Sequence, residues 1–109
     1  MPDVEIYFSE DSELSEYEAI SKEYRLDIFV RINGILYRVA AYTPLRLQQD
    51  FDTEIESYGV YYPDANLVLV KNTNKDEIIR TVNYLARKRY FLDLKGMNDV
   101  DITALVKVQ

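Results

Sequence analysis

The sequence lacks cysteine, histidine and tryptophan, and it contains only three glycines and three prolines. Without cysteine there is neither a disulfide framework nor a thiol nucleophile, which argues against a small secreted scaffold. Without histidine or cysteine there is no Ser-His or Cys-His catalytic pair and no zinc site built on these ligands. No apolar run approaches the roughly 18 residues that a membrane span needs, and no hydrophobic signal segment follows Met1. The sequence therefore predicts a cytoplasmic protein with no cofactor and no metal.

The remaining composition is that of a globular protein. The chain has 109 residues, of which 48% are hydrophobic and 29% are charged. This length and this balance fit one folded domain spanning residues 1–109. We find no internal repeat and no linker rich in Gly, Ser or Pro, so nothing in the sequence suggests a second domain.

The net charge of −6 is unevenly distributed along the chain. Eight of the 19 acidic residues fall within residues 1–23, where Lys22 is the only base, whereas the rest of the chain holds 11 acids and 12 bases. Nucleic acid and anionic membrane are poor partners for such a protein, because binding to them depends on Lys and Arg. A negative segment instead steers a basic protein partner at low salt. The alternative is that these acids simply solvate a loop.

Alternation of apolar and polar residues predicts three strands in the first half of the chain. Residues 4–8 alternate as a first strand, and residues 9–23 are acidic and weakly periodic, which predicts a loop, with a short helical turn as an alternative for part of it. Residues 26–32 and 35–41 then flank Asn33-Gly34, a dipeptide suited to a type I′ hairpin turn. A two-residue turn fixes the register. It predicts the cross-strand pairs Ile32–Ile35, Val30–Tyr37, Ile28–Val39 and Leu26–Ala41.

Two helices are predicted after the hairpin. Thr43-Pro44 opens the first, because Thr caps the free N–H groups and Pro at the first helical position loses no hydrogen bond. Gly59 is expected to end it in the left-handed conformation. Its apolar stripe consists of Leu47, Phe51, Ile55 and Tyr58. The second helix is predicted to begin at Asn74, with Glu77 as a capping-box partner. Its buried stripe consists of Ile78, Val82, Leu85 and Ala86.

The remaining strands complete an α+β fold. Residues 67–70 are a continuous apolar run, expected to be a strand covered on both faces, and residues 102–108 alternate as a last strand. The predicted order is β-β-β-α-β-α-β, a two-layer sandwich in which two helices lie on one face of a mainly antiparallel sheet. The strand at 67–70, the second helix and the last strand are compatible with one right-handed parallel crossover.

Four carboxylates alternate along the first predicted helix. Asp50 and Glu54 lie on one flank of the apolar stripe, and Asp52 and Glu56 lie on the far side. Paired carboxylates can hold Mg²⁺ or divide acid and base roles in glycoside hydrolysis, but both uses need inward-pointing groups with shifted pKa values. The pattern instead indicates the outer face of an amphipathic helix, so we expect no catalytic residues.

Tyrosine is the abundant aromatic residue, with ten Tyr against four Phe. Tyr is amphipathic and loses little rotamer entropy when fixed, which suits it to contact surfaces. Tyr58 is expected to complete the helix stripe, whereas Tyr61 and Tyr62 are equally compatible with a lid over the core or with an exposed surface. Aromatic rings among acids suit a partner rich in Lys and Arg. The predicted partner-binding residues are Asp50, Asp52, Glu54, Glu56, Tyr61, Tyr62 and Asp64, with the acidic segment 10–18 second.

One basic cluster, Arg87-Lys88-Arg89, falls at the end of the second predicted helix. Positive side chains in the last turn complement the partial negative charge of a helix C-terminus. Arg80, Tyr84 and Lys88 are spaced four apart and are compatible with a cation–π strip on the helix exterior. We interpret the cluster as a solvated helix end rather than as a nucleic-acid site.

Residues 26–90 resemble the immunity protein 8 family of bacterial polymorphic-toxin systems. The features that carry the resemblance run in order: a strand ending Ala41-Tyr42, Thr43-Pro44 opening a helix, Gly59, the strand at 67–70, and a helix near Asp76 with Ile78, Ile79 and Val82. Leu45 stands where such families often carry Trp. The resemblance implies a cytosolic non-enzyme that binds and blocks a cognate toxin domain. It carries over no binding residues, because contact surfaces vary within such families.

Two further hypotheses remain open. The first is a small structural or regulatory subunit, with a homodimer as one form, that associates through the edge of its first or last strand. The second is an unusual enzyme that depends on carboxylates. The leading expectation is a protein partner, most simply a basic toxin domain, bound by an acidic, Tyr-rich surface.

Overall fold

The computed structural model of the protein describes residues 3–97 and 101–109. A five-stranded sheet is formed by β1 (Val4–Phe8), β2 (Tyr24–Ile32), β3 (Ile35–Tyr42), β4 (Leu67–Leu69) and β5 (Val106–Lys107). The helices are α1 (Glu13–Lys22), α2 (Pro44–Tyr58) and α3 (Lys75–Arg87), with short 3₁₀ turns at Tyr90–Asp93 and Ile102–Ala104. The strand order is β4-β3-β2-β1-β5, and only the β3–β4 pair is parallel. The predicted α+β class with a mainly antiparallel sheet is confirmed.

The predicted loop at residues 9–23 was wrong, since the segment contains helix α1. Its start is fixed by a reciprocal cap, in which Ser12 accepts from the backbone N–H of Ser15 and the Ser15 hydroxyl accepts from the N–H of Ser12. Glu23 ends the helix in the left-handed conformation, with φ of 58°. Residues 3–97 and 101–109 therefore form three α-helices rather than the two predicted.

The hairpin is confirmed over most of its length. Asn33 and Gly34 both have positive φ, as a type I′ turn requires, and the pairs Ile32–Ile35, Val30–Tyr37 and Ile28–Val39 form as predicted. The fourth pair was wrong, because a bulge between Arg25 and Ile28 places Arg25, not Leu26, opposite Ala41.

Both edges of the sheet differ from the prediction. β4 is an edge strand in which Leu69 is half exposed, so it is not covered on both faces. The last strand contains only Val106–Lys107, because Asp101 accepts from the backbone N–H of Thr103 and favours a 3₁₀ turn over an extended chain. β4 and β5 lie at opposite edges, so the crossover between them does not exist, and α2 instead links the parallel strands β3 and β4.

The first strand cannot supply a free edge for association. β1 lies between β2 and β5, and both of its neighbours are hydrogen bonded to it. The outermost strands, β4 and β5, have three and two residues respectively. Edges this short offer few backbone groups to a partner.

Helix α3 covers the core face of the sheet. Asn74 caps it as predicted by accepting from the N–H of Glu77, whereas the Glu77 carboxylate pairs with Arg80 instead of closing a capping box. Ile78 and Val82 are almost fully buried. They pack in one cluster with buried residues of β1, β2 and β3: Ile6, Phe8, Ile28, Val30, Tyr37, Val39 and Ala41.

Helix α2 is a peripheral element. It begins and ends as predicted, with Thr43 accepting from the N–H of Arg46 and Gly59 at φ of 74°. However, none of its residues is buried. Within residues 3–97 and 101–109, no helix is long and apolar enough to cross a membrane.

Candidate functional site

The candidate site is a groove between helix α2 and the loop that connects α2 to β4. Its volume is about 690 Å³. The groove is lined by Tyr42, Arg46, Asp50, Glu54, Tyr58, Val60, Tyr61, Tyr62, Pro63 and Asp64. We call this feature the α2 groove. Five of the seven partner-binding residues predicted from the sequence lie around it.

The loop side of the groove is anchored to the sheet at two points. The Tyr42 hydroxyl, at the end of β3, donates a hydrogen bond of 2.9 Å to the carboxylate of Asp64. The side-chain amide of Asn66 donates a hydrogen bond of 2.9 Å to the backbone carbonyl oxygen of Arg38. The backbone carbonyl oxygen of Asn66 accepts from the N–H of Ala40. These contacts hold the loop against β3.

The helix side of the groove is anchored through Arg46. Its Nε donates to Asp50 at 3.0 Å, and its Nη1 donates to the carbonyl oxygen of Lys22 at 3.2 Å. Its guanidinium also lies 4.6 Å from the ring centroid of Tyr24, which stacks on Tyr42. Because Arg46 pairs with Asp50, the other two lining carboxylates, Glu54 and Asp64, give the groove its excess negative charge.

Tyr61 lies at the centre of these acids. Its ring packs edge-on against Phe51 at 6.1 Å between centroids, which ties the loop to the helix stripe. Burial raises the pKa of the Tyr61 hydroxyl, and the nearby charges of Asp50, Asp64 and Glu54 raise it further. The groove thus brings three carboxylates close to one phenol ring.

Tyr58 and Tyr62 are exposed on the same surface. Their side chains are 74% and 84% exposed, respectively. The expectation that Tyr58 completes a buried stripe was therefore wrong, because exposure rises toward the end of the stripe, from Phe51 and Ile55, which are about two-fifths exposed, to Tyr58. Of the two loop tyrosines, Tyr62 lies on the surface and Tyr61 is partly buried.

Asp52 and Glu56 lie outside the groove. The two residues are exposed on the far flank of α2, where Asp52 accepts a hydrogen bond of 2.9 Å from Gln48. Between the two acidic flanks runs the apolar stripe, with Phe51 and Ile55 about two-fifths exposed. The sequence pattern predicted this arrangement of flanks around the stripe, but it did not show that the stripe is uncovered.

Some acidic residues of the segment 10–18 form ion pairs with other parts of the chain. Asp11 pairs with the ammonium group of Lys75 at 2.9 Å. Glu16 pairs with Arg25 at 2.6 Å and also accepts from the backbone N–H of Lys75. Glu13 and Glu18 are exposed. This second candidate surface therefore offers fewer free charges than its sequence suggests.

Sequence reasoning missed five groove residues, which are Tyr42, Arg46, Tyr58, Val60 and Pro63. Tyr42 is buried at the end of β3, and its hydroxyl donates to Asp64 on the loop side of the groove, a contact between distant positions that no local sequence pattern indicates. Within the described part of the chain, no group of three or more Asp, Glu, His or Cys residues is arranged to hold a metal ion. No protein-family model, curated protein or solved structure matches the chain.

Proposed function

We propose that this protein is a non-catalytic binding protein of the bacterial cytoplasm, an immunity protein that blocks a basic toxin domain. The α2 groove and the adjoining apolar stripe form the binding surface. One observation carries the proposal: helix α2 exposes an apolar stripe that is bordered on both flanks by carboxylates. The resemblance of residues 26–90 to immunity proteins supports the biological role.

The exposed apolar area supports a macromolecular partner. Phe51, Ile55 and Tyr58 lie along one stripe of α2 and Val60 follows its end, and each of the four is at least 39% exposed. Contiguous exposed apolar surface rimmed by polar groups is typical of protein interaction sites. Tyr side chains add rigid contact area at low entropic cost, so Tyr58 and Tyr62 suit the role of anchors.

The charge of the same surface supports a basic partner. Glu54 and Asp64 line the groove on one flank, and Asp52 and Glu56 border the stripe on the other. Such a distribution accelerates encounter with a cationic surface and disfavours acidic partners. Toxin domains that cleave nucleic acid need cationic sites, so the acids would occupy a surface that otherwise receives phosphate.

The arrangement also supports a mechanism of occlusion rather than turnover. The carboxylates around the groove lie on an open surface, and Arg46 is the one base among the residues that line it in the described part of the chain. General acid–base chemistry needs a positioned pair of titratable groups with separated pKa values in a shielded site. We therefore propose that the protein acts by binding alone.

The test is protection of a bacterial host. Genes next to that of this chain are first searched for a large secreted protein. The chain is then co-expressed with the C-terminal domain of that protein, and survival of the host is scored. Wild type is expected to restore growth and to co-purify with the toxin domain. Glu54→Lys combined with Tyr62→Ala is expected to abolish protection, because the change reverses one groove charge and removes an exposed anchor.

The matched control is Asp3→Lys, which reverses an exposed charge outside both candidate surfaces, next to Val4, whose partner Ile32 lies at the hairpin tip. It is expected to protect as wild type does. Full protection by the Glu54→Lys/Tyr62→Ala variant would contradict the proposed surface. Failure of the wild-type chain to bind any product of neighbouring genes would contradict the proposed function.

A further inference from the structure

A second pocket lies where the tip of the β2–β3 hairpin meets the end of α3. Its volume is about 360 Å³. It is lined by Ile32, Asn33, Ala86, Arg87, Arg89, Phe91 and Leu92. We call it the hairpin pocket. It shares no lining residue with the α2 groove.

The floor of the hairpin pocket is apolar and well fixed. Phe91 is only 3% exposed, and its ring packs against Tyr37 at 5.4 Å and against Tyr90 at 5.1 Å between centroids. Ala86 is buried beside it, whereas Leu92 is 66% exposed at the wall. An apolar side chain this exposed beside a concave floor offers contact to an apolar ligand.

Two arginines supply all the charge of the lining. Within residues 3–97 and 101–109, neither Arg87 nor Arg89 has a carboxylate within ion-pair distance, although five other ion pairs form there. No acidic residue lines the pocket. The guanidinium groups therefore remain available for an anion.

The backbone at Arg89 marks the end of α3. Arg89 has φ of 63°, the left-handed conformation in which helices commonly end, as Glu23 also shows at the end of α1. It lies between the end of α3 and the 3₁₀ turn Tyr90–Asp93. Lys88, between the two arginines, lies over the Tyr84 ring at 5.6 Å and does not line the pocket.

We propose that the hairpin pocket binds a small organic carboxylate with an apolar stem. The volume is at the lower end of the range typical of small-molecule sites, about 300–1,000 Å³. The stem would contact Phe91 and Leu92, and the carboxylate would accept hydrogen bonds from Arg87 and Arg89. Arginine suits this task because its planar donors match both oxygens of a carboxylate.

The proposal is independent of the binding function proposed for the α2 groove. The groove carries excess negative charge, whereas the hairpin pocket carries only positive charge. The groove therefore repels an anionic ligand, and the hairpin pocket repels a cationic one. A failure of either proposal leaves the other in place.

The test is an amide-shift titration by NMR with octanoate as the probe. Octanoate is expected to shift the amide signals of Asn33, Arg87, Arg89 and Leu92 in a saturable manner. Octanol has the same stem without the charge, and acetate has the charge without the stem. Both are expected to bind at least tenfold more weakly than octanoate.

Three single variants assign the charge contribution. Arg87→Gln and Arg89→Gln are each expected to weaken octanoate binding by about three- to fivefold, the range of one exposed ion pair. Lys88→Gln removes the same charge from the same tripeptide without touching the pocket, so it is expected to retain wild-type affinity. Leu92→Ser is expected to weaken octanoate but not acetate.

Three results would overturn the proposal. The first is equal binding of octanol and octanoate, which would indicate an apolar patch without anion recognition. The second is equal weakening by Lys88→Gln and by the arginine variants, which would indicate a general charge effect. The third is a blocked peptide with a free C-terminal leucine that binds tenfold more tightly than octanoate at the same amides, which would identify a peptide site instead.

Discussion

The guanidinium of Arg25, buried on the core side of β2, donates a hydrogen bond of 2.6 Å to the carboxylate of Glu16 on α1. The same carboxylate accepts from the backbone N–H of Lys75 at 3.0 Å, at the first turn of α3. Arg25 also lies 4.5 Å from the ring centroid of Phe8 in β1. One carboxylate therefore joins two helices and the sheet, and it compensates a charge that is nearly removed from water.

The first prediction concerns this contact. Glu16→Gln is expected to lower the free energy of unfolding by about 2 kcal/mol, because it leaves the buried Arg25 charge without a counter-charge. Glu18→Gln, an exposed carboxylate on the same helix, is the matched control and is expected to change stability by less than about 0.5 kcal/mol. Urea unfolding measures both. Equal effects of the two variants would show that Glu16 contributes only as a surface charge.

The second prediction compares the stripes of α2 and α3. Ile78→Ala is expected to cost about 3 kcal/mol, since Ile78 is only 1% exposed in the core. Phe51→Ala removes a larger side chain but is expected to cost only about 1 kcal/mol, because 44% of its surface is already in water. Chemical denaturation of both variants checks the order. A larger loss for Phe51→Ala would indicate that α2 is covered by the rest of the chain in solution.

The third prediction concerns alkaline pH. Burial raises the pKa of the Tyr42 hydroxyl well above its ordinary value of 10.0, and the hydrogen bond to Asp64 raises it further. The folded state then holds this proton more tightly than the unfolded state, so the free energy of unfolding falls as pH rises above 10. The stability contributed by the protonated hydroxyl is fully present only below that pH.

Tyr42→Phe removes the titrating group. The variant is expected to lose about 1 kcal/mol at neutral pH from the missing hydrogen bond, and to show a shallower decline of stability above pH 10. Urea unfolding at a series of pH values measures this slope. Tyr62→Phe, at an 84% exposed side chain, serves as the comparison. The prediction fails if Tyr42→Phe declines as steeply as wild type.

The fourth prediction concerns association with the proposed basic partner. Glu54→Lys is expected to slow association at low salt, and the difference is expected to shrink as salt rises, because screening weakens long-range attraction. Stopped-flow mixing with the toxin domain at two salt concentrations measures this rate. Glu54 is preferred to Asp50, since Asp50 also pairs with Arg46 and its reversal would remove a contact within the helix.

The melting temperature of Glu54→Lys is expected to stay at the wild-type value, since within the described residues Glu54 has no ion-pair partner. An association rate at low salt that equals the wild-type rate would exclude the groove from the encounter surface.

Turns and helix ends that are determined by residues close in sequence were predicted correctly. Asn33-Gly34 predicted the turn, Thr43-Pro44 the start of α2 and Gly59 its end, because each feature depends on backbone chemistry within a few positions. The buried stripe of α3 was equally predictable, because its apolar residues repeat at the helical period.

Features that depend on distant partners were not predictable. The bulge that turns Arg25 inward is stabilised by Glu16 and Phe8, which come from other elements. Helix α1 escaped prediction because Ala19 is its only buried residue, so no apolar stripe marks it. Ser12, followed by acids in the first turn, was the available signal.

The candidate site shows the same division. The acidic flanks of α2 were evident from the spacing of Asp50, Asp52, Glu54 and Glu56. Whether the apolar stripe between these flanks is covered depends on the tertiary structure. The same spacing of apolar residues is equally compatible with a buried helix face.

The position of β1 inside the sheet has a consequence for synthesis of the chain. The backbone of Ile6 is hydrogen bonded to Val108 and Gln109, so one side of β1 has no strand beside it until residues 106–109 have left the ribosome. The β2–β3 hairpin and the helices emerge earlier and can assemble on the other side. The nascent chain thus carries an open strand edge from the emergence of β1 until residues 106–109 follow, an interval in which chaperones or other nascent chains have access to that edge.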